Sequence, residues 1–503
     1  MSRVLKPLGN LLDALTDPAR RERAAVLLLA AYCAVWSLYG AFAKGSQDIH
    51  FDMGEMVAWS RDAGIGTPKH PPVAAWLVKV WFAVFPLADW SYYLFAMVLA
   101  SFALWCAWRI SEHYLNGEKR VAALLLLTFI PFFNFHALKY NANTVLIPLW
   151  AVATWCFLRS YETRSAIWAA LAGLGAAAAM MGKYWSIFLL AGLAVAALAD
   201  RRRVEYFRSA APWVTVLVGG IAFAPHIAWL VANDFSPFSY AVDSHLGTWS
   251  SAAWSGPSFL AGVAGYAAAP LVIWLIVARP RLPALADTVW PADDARRLVL
   301  MSFIAPLILP WFAALAFKVD IVSLWAMCAM TLLGVVLMSS PLVKVSRRAT
   351  LWLLALAIVF PLLMALASPV IAIVIHREGV PNYATHYRLL AAAVDRAWRE
   401  TTDQPMRYFG SYTNVLNGVS FYLKDHASTL DIADPRATPW SDEASVARAG
   451  IALACPEPEA GCMQKLNERA GNLPRHAVTL SRRHWSIADA PVRYVIVIVP
   501  PKR

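Results

Sequence analysis

Apolar runs of roughly 17–25 residues, parted by short charged segments, fill the first 375 residues of this chain. A bilayer core of about 30 Å is crossed by about 20 apolar helical residues, and water-soluble folding of so many such runs would need an implausibly large core. Charged residues make up 15% of the 503, where a soluble protein carries about 25%. The pattern predicts a polytopic membrane protein. Spans are expected at about 24–43, 91–108, 121–137, 144–158, 165–182, 184–199, 211–232, 257–278, 298–316, 321–339 and 350–375. The first carries the bases Arg3, Lys6, Arg20, Arg21 and Arg23 ahead of it and is too long for a signal-peptide core, so it is read as an uncleaved helix.

The net charge is +12, and its placement argues for topology over nucleic-acid binding. The bases fall between apolar runs and form no single patch, so no nucleic acid is expected. With the N-terminus in the cytoplasm, Arg159, Arg164, Arg201, Arg202, Arg203, Arg296, Arg297, Arg347 and Arg348 all lie on the inner side, as the positive-inside rule requires. Basic clusters flank 165–199 on both sides, which demands an even number of crossings, with a hairpin tip at Gly182-Lys183-Tyr184. Residues 1–375 then form the membrane domain and 376–503 a periplasmic domain. In the latter, helical patches (387–400, 415–424, 462–470) alternate with β-rich runs (406–412, 477–480, 494–499), the pattern of a small α/β domain. Cys33, Cys106, Cys156 and Cys328 lie in apolar runs as packing residues. Cys455 and Cys462, in the segment CPEPEAGC, suit a small-loop disulfide in an oxidising compartment.

Two outside segments carry polar chemistry. The first contains Asp48, Asp52 and Glu55. As one helix these fall at i, i+4 and i+7 on a single face, where mutual repulsion in a partly buried site raises a carboxylate pKa toward that of a general base. The bland alternative is an interfacial helix with a solvated acidic face. Beyond it, Lys69, His70, Pro71 and Pro72 form a rigid step into the next helix. Lys69 and His70 suit an anionic phosphate, or else anchor at lipid headgroups. The second segment holds Lys139, Tyr140, Asn141 and Asn143. The asparagines either bind sugar hydroxyls or cap the next helix.

An acidic loop after the first span followed by a Lys-His-Pro-Pro step resembles the GT-C glycosyltransferases. The similarity is to the group of lipid A aminoarabinose transferases and protein O-mannosyltransferases, and within it to bacterial transferases of galacturonic acid onto lipopolysaccharide core. The resemblance covers roughly residues 20–250. It implies an all-α polytopic membrane protein of about eleven spans in the inner membrane, and a polyprenyl-phosphate sugar as donor with no separate cofactor. It also implies inverting transfer to an envelope glycolipid at the periplasmic face, by a chain that works as a monomer among membrane lipids. By position Asp52 is the base, with Asp48 as the close alternative and Glu55 beside them. Lys69, His70 and Lys183 would hold donor phosphate, and Lys139, Tyr140, Asn141, Asn143 and His245 would contact substrate. Some related enzymes bind a divalent metal near a Glu-Lys-Pro-Pro step. Lys69 stands at that glutamate's position, so no metal is expected. The competing class is a transporter or flippase for a lipid-linked sugar or polar solute, but the polar clusters fall at span ends on one side and no internal repeat is evident.

Overall fold

The computed structural model describes residues 5–62 and 64–502, so Arg3 lies outside the described residues. The chain divides into two compact units, Met1–Ser37 with Leu94–Met364, and Leu38–Tyr93 with Ala365–Arg503. The first outside loop thus groups with the tail, where the sequence reading had kept it with the membrane portion.

Among the described residues, six helices are long and apolar enough to cross a bilayer: Arg21–Ala43, Asp89–Ser111, Ala211–Ala232, Trp249–Ala278, Asp294–Phe317 and Arg347–Glu378. The protein is an integral membrane protein. The other five expected spans form shorter or less apolar elements, and the reasons are local. The expected 121–137 helix stops at Leu127, because Pro131 opens a 3₁₀ turn and brings no N–H to an α-ladder. The Asn134 side-chain amide then donates to the Thr128 carbonyl at 3.0 Å, closing the end. The expected 144–158 span runs instead from Leu146 to Thr163. The expected 321–339 span is a 3₁₀ segment, Ser323–Leu332, continued by the Leu333–Met338 helix. The chain does break at Lys183: Ala166–Gly182 is one helix and Ile187–Ala199 the next, with extended backbone at Lys183 between Gly182 and a short 3₁₀ turn. Each finds its main neighbours elsewhere, the first on Leu146–Thr163 and Ala211–Ala232, the second on Asp294–Phe317. Small residues permit this. A Cβ on Gly173 would meet the Thr215 carbonyl oxygen at 2.5 Å, so the two helix backbones touch directly.

The tail is a layered α/β domain. Its strands are β1 (Tyr408–Ser411), β2 (Ser428–Asp431), β3 (Ile451–Pro456), β4 (Arg475–Leu480), β5 (Arg483–His484), β6 (Ile487–Ala488) and β7 (Val492–Val499). The main sheet runs β2-β1-β3-β7-β4, with β2, β1 and β3 parallel and β7 antiparallel to both of its neighbours. Side chains alternate across a strand, so Tyr494, Ile496 and Ile498 face one core with Trp398, Phe409 and Val415. Val495 and Val497 face another with Leu453, Cys455 and Leu466. The expected helices appear as Tyr387–Thr401, Thr413–Tyr422 and Ala460–Ala470. Cys455 and Cys462 form a disulfide that joins β3 to the last of these.

Candidate active site

The expected site residues fall into two groups, one in each unit. The first is built on the helix Phe51–Asp62. It begins after His50, whose Nδ1 accepts from the Asp52 backbone N–H at 3.1 Å and so serves an otherwise orphan donor of the first turn. Asp48 precedes this helix. The three carboxylates therefore do not share one helical face, and each meets a different environment.

Asp48 is fully buried. Its Oδ1 accepts from Arg482 Nη1 at 2.6 Å and its Oδ2 from the Arg388 backbone N–H at 3.0 Å. Burial raises its pKa above the ordinary 3.8, against the lowering pull of Arg482. With both oxygens engaged, Asp48 has no reach toward a substrate. Glu55 is also committed: both of its oxygens accept from Lys69 Nζ, at 2.9 and 3.0 Å, and its side chain is 7% exposed. Asp52 differs. It stands in the helix's first turn with its side chain 18% exposed and His50 Nδ1 at 3.7 Å from Oδ1.

The Glu55–Lys69 pair fastens the Lys-His-Pro-Pro step to the helix. The step is stiffened from within, since the Thr67 hydroxyl oxygen accepts from the backbone N–H of both Lys69 and His70. Trp59 lies beside it, 5.9 Å from His70 ring to ring and 5.9 Å from Lys69 Nζ. Pro72 then caps the helix Val73–Phe82.

The helix is seated on the tail's Thr413–Tyr422 helix. A Cβ on Gly54 would lie 2.4 Å from the Asn417 carbonyl oxygen, so glycine is what lets the backbones meet. The Tyr422 hydroxyl accepts from the Ile49 N–H and donates to Asp89, Arg61 donates to the Ser420 carbonyl, and the Tyr92 hydroxyl donates to the Met53 carbonyl. None of these tail partners carries a local sequence signal. Arg482 and Arg388 stand hundreds of residues away in the chain, and only the folded tail brings them to Asp48.

The second group lies in the other unit. Asn141 Oδ1 accepts from the N–H of Asn143 and of Thr144, at 2.9 and 3.1 Å, so Asn141 is the capping residue of its turn. Asn143 reaches outward and accepts from Lys183 Nζ at 2.5 Å. Lys183 also lies 5.0 Å from the Trp325 ring, against whose face His245 sits edge-on at 5.0 Å. Burial and the Lys183 charge lower the His245 pKa, leaving a neutral imidazole at pH 7. Tyr140 is buried against Phe95 as a packing residue, and Lys139 is half-buried at the same turn. Sequence reading missed the neighbouring Tyr184–His226 hydrogen bond of 2.8 Å and the Trp325 ring.

The residues at the Lys-His-Pro-Pro step do not fit a divalent metal. An ammonium occupies Glu55, and among the described residues no group of three or more His, Cys, Asp or Glu is arranged to hold one.

Residues 69–229 match the family described as dolichyl-phosphate-mannose-protein mannosyltransferase. The match begins at Lys69, so Asp48, Asp52 and Glu55 lie before it. No curated protein matches the sequence. Two solved structures share the fold over nearly the whole chain, both of ArnT from Cupriavidus metallidurans. The one bound to undecaprenyl phosphate has a TM-score of 0.61 at 14% identity, over 94% of this chain and 97% of that chain. The apo form has a TM-score of 0.63 at 12% identity, with the same coverage. The chain is thus similar to that transferase family over residues 69–229 and shares the ArnT fold over nearly its whole length.

Proposed function

We propose that this protein transfers a sugar from a polyprenyl-phosphate carrier to an envelope glycolipid, lipid A or lipopolysaccharide core, with inversion at the anomeric carbon. Asp52 takes the proton from the acceptor hydroxyl. That oxygen bonds to the anomeric carbon as the carbon–oxygen bond to phosphate breaks, and polyprenyl phosphate departs with the electron pair. Hydrogen-bond donors at the Lys-His-Pro-Pro step steady the charge that develops on the phosphate: His70 takes this role, and Lys69 is a positioning residue that holds the step through Glu55.

The observation that carries this reading is the division of labour among the carboxylates. Asp48 is fully buried on Arg482 and Glu55 gives both oxygens to Lys69, whereas Asp52 stands in the helix's first turn beside the imidazole of His50, a neighbour that can relay a proton, with its side chain 18% exposed. The fold shared with a protein solved with undecaprenyl phosphate supports a polyprenyl carrier. The positive-inside bias and the Cys455–Cys462 disulfide support an inner-membrane location with a cytoplasmic N-terminus and the tail in the periplasm.

The test is mass spectrometry of envelope glycolipids from cells with the protein, without it, and with Asp52→Asn. The protein should add one hexose, pentose or uronic-acid mass. The variant should express and fold normally while transfer falls by about 10²–10⁴-fold, the size of a lost general base. Full transfer by Asp52→Asn, or identical glycolipids with and without the protein, refutes the proposal.

A further inference from the structure

A cavity of about 440 Å³ opens within the unit formed by Leu38–Tyr93 and the tail, apart from the residues given catalytic roles above. Its volume is that of a small-ligand site. Its lining carries the cations Lys44, Arg388 and Arg482 together with apolar and aromatic side chains, among them Leu87, Trp90 and Tyr93. Two carboxylates belong to the same network: Asp89 accepts from Arg388 Nη2 at 2.7 Å, and Asp48 from Arg482 at 2.6 Å. Among the lining residues themselves, Lys44, Arg388 and Arg482 stand against the single carboxylate of Asp89, while Asp48 and Asp489 bond Arg482 from outside the lining. The Arg388 guanidinium stacks over the Tyr422 ring at 4.8 Å, which fixes one of the cations in place.

The position of the lining residues says which ligand suits them. Lys44 follows the last residue of the membrane helix Arg21–Ala43, and Asp89, Trp90 and Tyr93 open the membrane helix Asp89–Ser111. The cavity therefore joins the ends of two spans, at headgroup depth. Half-exposed Trp90 is the residue type that settles at that depth. A cavity lined by both cations and apolar groups, placed there, matches a molecule that is anionic at its head and hydrocarbon below. Its charge excludes a zwitterionic head as the favoured ligand, since only a net anion relieves the surplus in the lining. The bland alternative is that Lys44 merely snorkels to water. That reading explains neither the two arginines contributed by the tail nor the concave volume they line.

We infer that this cavity binds the phosphate of an anionic lipid headgroup, with Lys44 and the two arginines as its donors. Arg388 and Arg482 are already held in geometry by Asp89 and Asp48, so Lys44 is the donor whose removal tests the site with least disturbance. The inference stands apart from sugar transfer, because binding is measured without donor or acceptor turnover.

The experiment is native mass spectrometry of the full-length protein from nanodiscs of phosphatidylcholine containing either phosphatidylglycerol or lipid A. The wild type should retain the phosphorylated lipid over phosphatidylcholine. Lys44→Gln should reduce retention about tenfold, as one charge-assisted hydrogen bond is lost, and Lys44→Arg should restore it. Preference for lipid A over phosphatidylglycerol would name a phosphorylated glycolipid as occupant, and the reverse a phospholipid; either supports the inference. Equal retention by Lys44→Gln and wild type overturns it. So does retention no stronger than that of phosphatidylcholine, or displacement of the lipid by millimolar inorganic phosphate, which would make the site one for the free ion.

Discussion

The two groups of site residues are assembled in opposite ways. In the membrane unit the contacts are near neighbours in the chain: Asn141 bonds residues two and three positions on, and Asn143 meets Lys183 at a separation of 40. In the other unit Asp48 meets Arg482 across 434 residues and Asp89 meets Arg388 across 299. The first group rests on turns that form wherever the chain does. The second exists only when the tail has folded. Disturbing the tail should therefore disable the acidic loop, whereas disturbing the Asn-rich turn should be felt only where it occurs.

The largest expected effect comes from Arg482→Ala. It leaves Asp48 buried without its partner, a change that typically costs about 3–5 kcal/mol. The pH dependence gives a sharper readout. The Asp48 pKa is already raised above 3.8 by burial, so folding favours its protonated form. Its contribution is fully favourable below the unfolded pKa and is lost as pH rises through the folded one. Without Arg482 that folded pKa climbs further, so the variant should recover part of its stability on acidification from neutral pH toward 4. Thermal unfolding of the two proteins at several pH values checks this, and a deficit independent of pH would show that the charge is not what matters.

Opening the Cys455–Cys462 loop by Cys455→Ser should cost about 2 kcal/mol by loop-closure entropy. The same loss should appear on reduction of the wild type and not of the variant. Gly54→Ala drives a methyl group into the Asn417 carbonyl and should cost about 1–3 kcal/mol as an overpacked contact. If the comparison holds, limited proteolysis will then cut the acidic loop faster. Gly173→Ala makes a similar clash between two membrane helices and should leave that loop as protected as before. The smallest effect is expected from Asn143→Ala. Losing one hydrogen bond to Lys183 should lower stability by about 1 kcal/mol, with the unfolding of the tail unmoved, as thermal unfolding followed in each unit will show.

The sequence was most legible where a pattern is local. The β-branched run 494–499 marked a strand, which extends from Val492 to Val499, and the helical patch 387–400 marked the helix Tyr387–Thr401. Six spans declared themselves by length and hydropathy. Misreadings came where another element overrode the local pattern. The run through Pro131 looked continuous in hydropathy but lacked the donor needed to stay helical. The short strands Ser428–Asp431 and Ile451–Pro456 gave no clear alternation, since the second is buried along its whole length. At the candidate site, Asp48, Asp52 and Glu55 were singled out as one group, and each meets a different environment. What separates them is where the helix begins and which cation each meets, and spacing does not encode either. The tail was read as a separate α/β domain; in the structure the acidic loop leans on it.

The 434-residue span between Asp48 and Arg482 also has a meaning in time. At ribosomal rates the loop emerges on the order of half a minute before its arginine partner. Through that interval Asp48 must remain hydrated, because no counter-ion yet exists for it. Completion of the last strands is then what locks the loop, so assembly of this region is checked by the final stretch of the polypeptide. A chain arrested before Tyr387 should insert its helices and still display a protease-sensitive acidic segment.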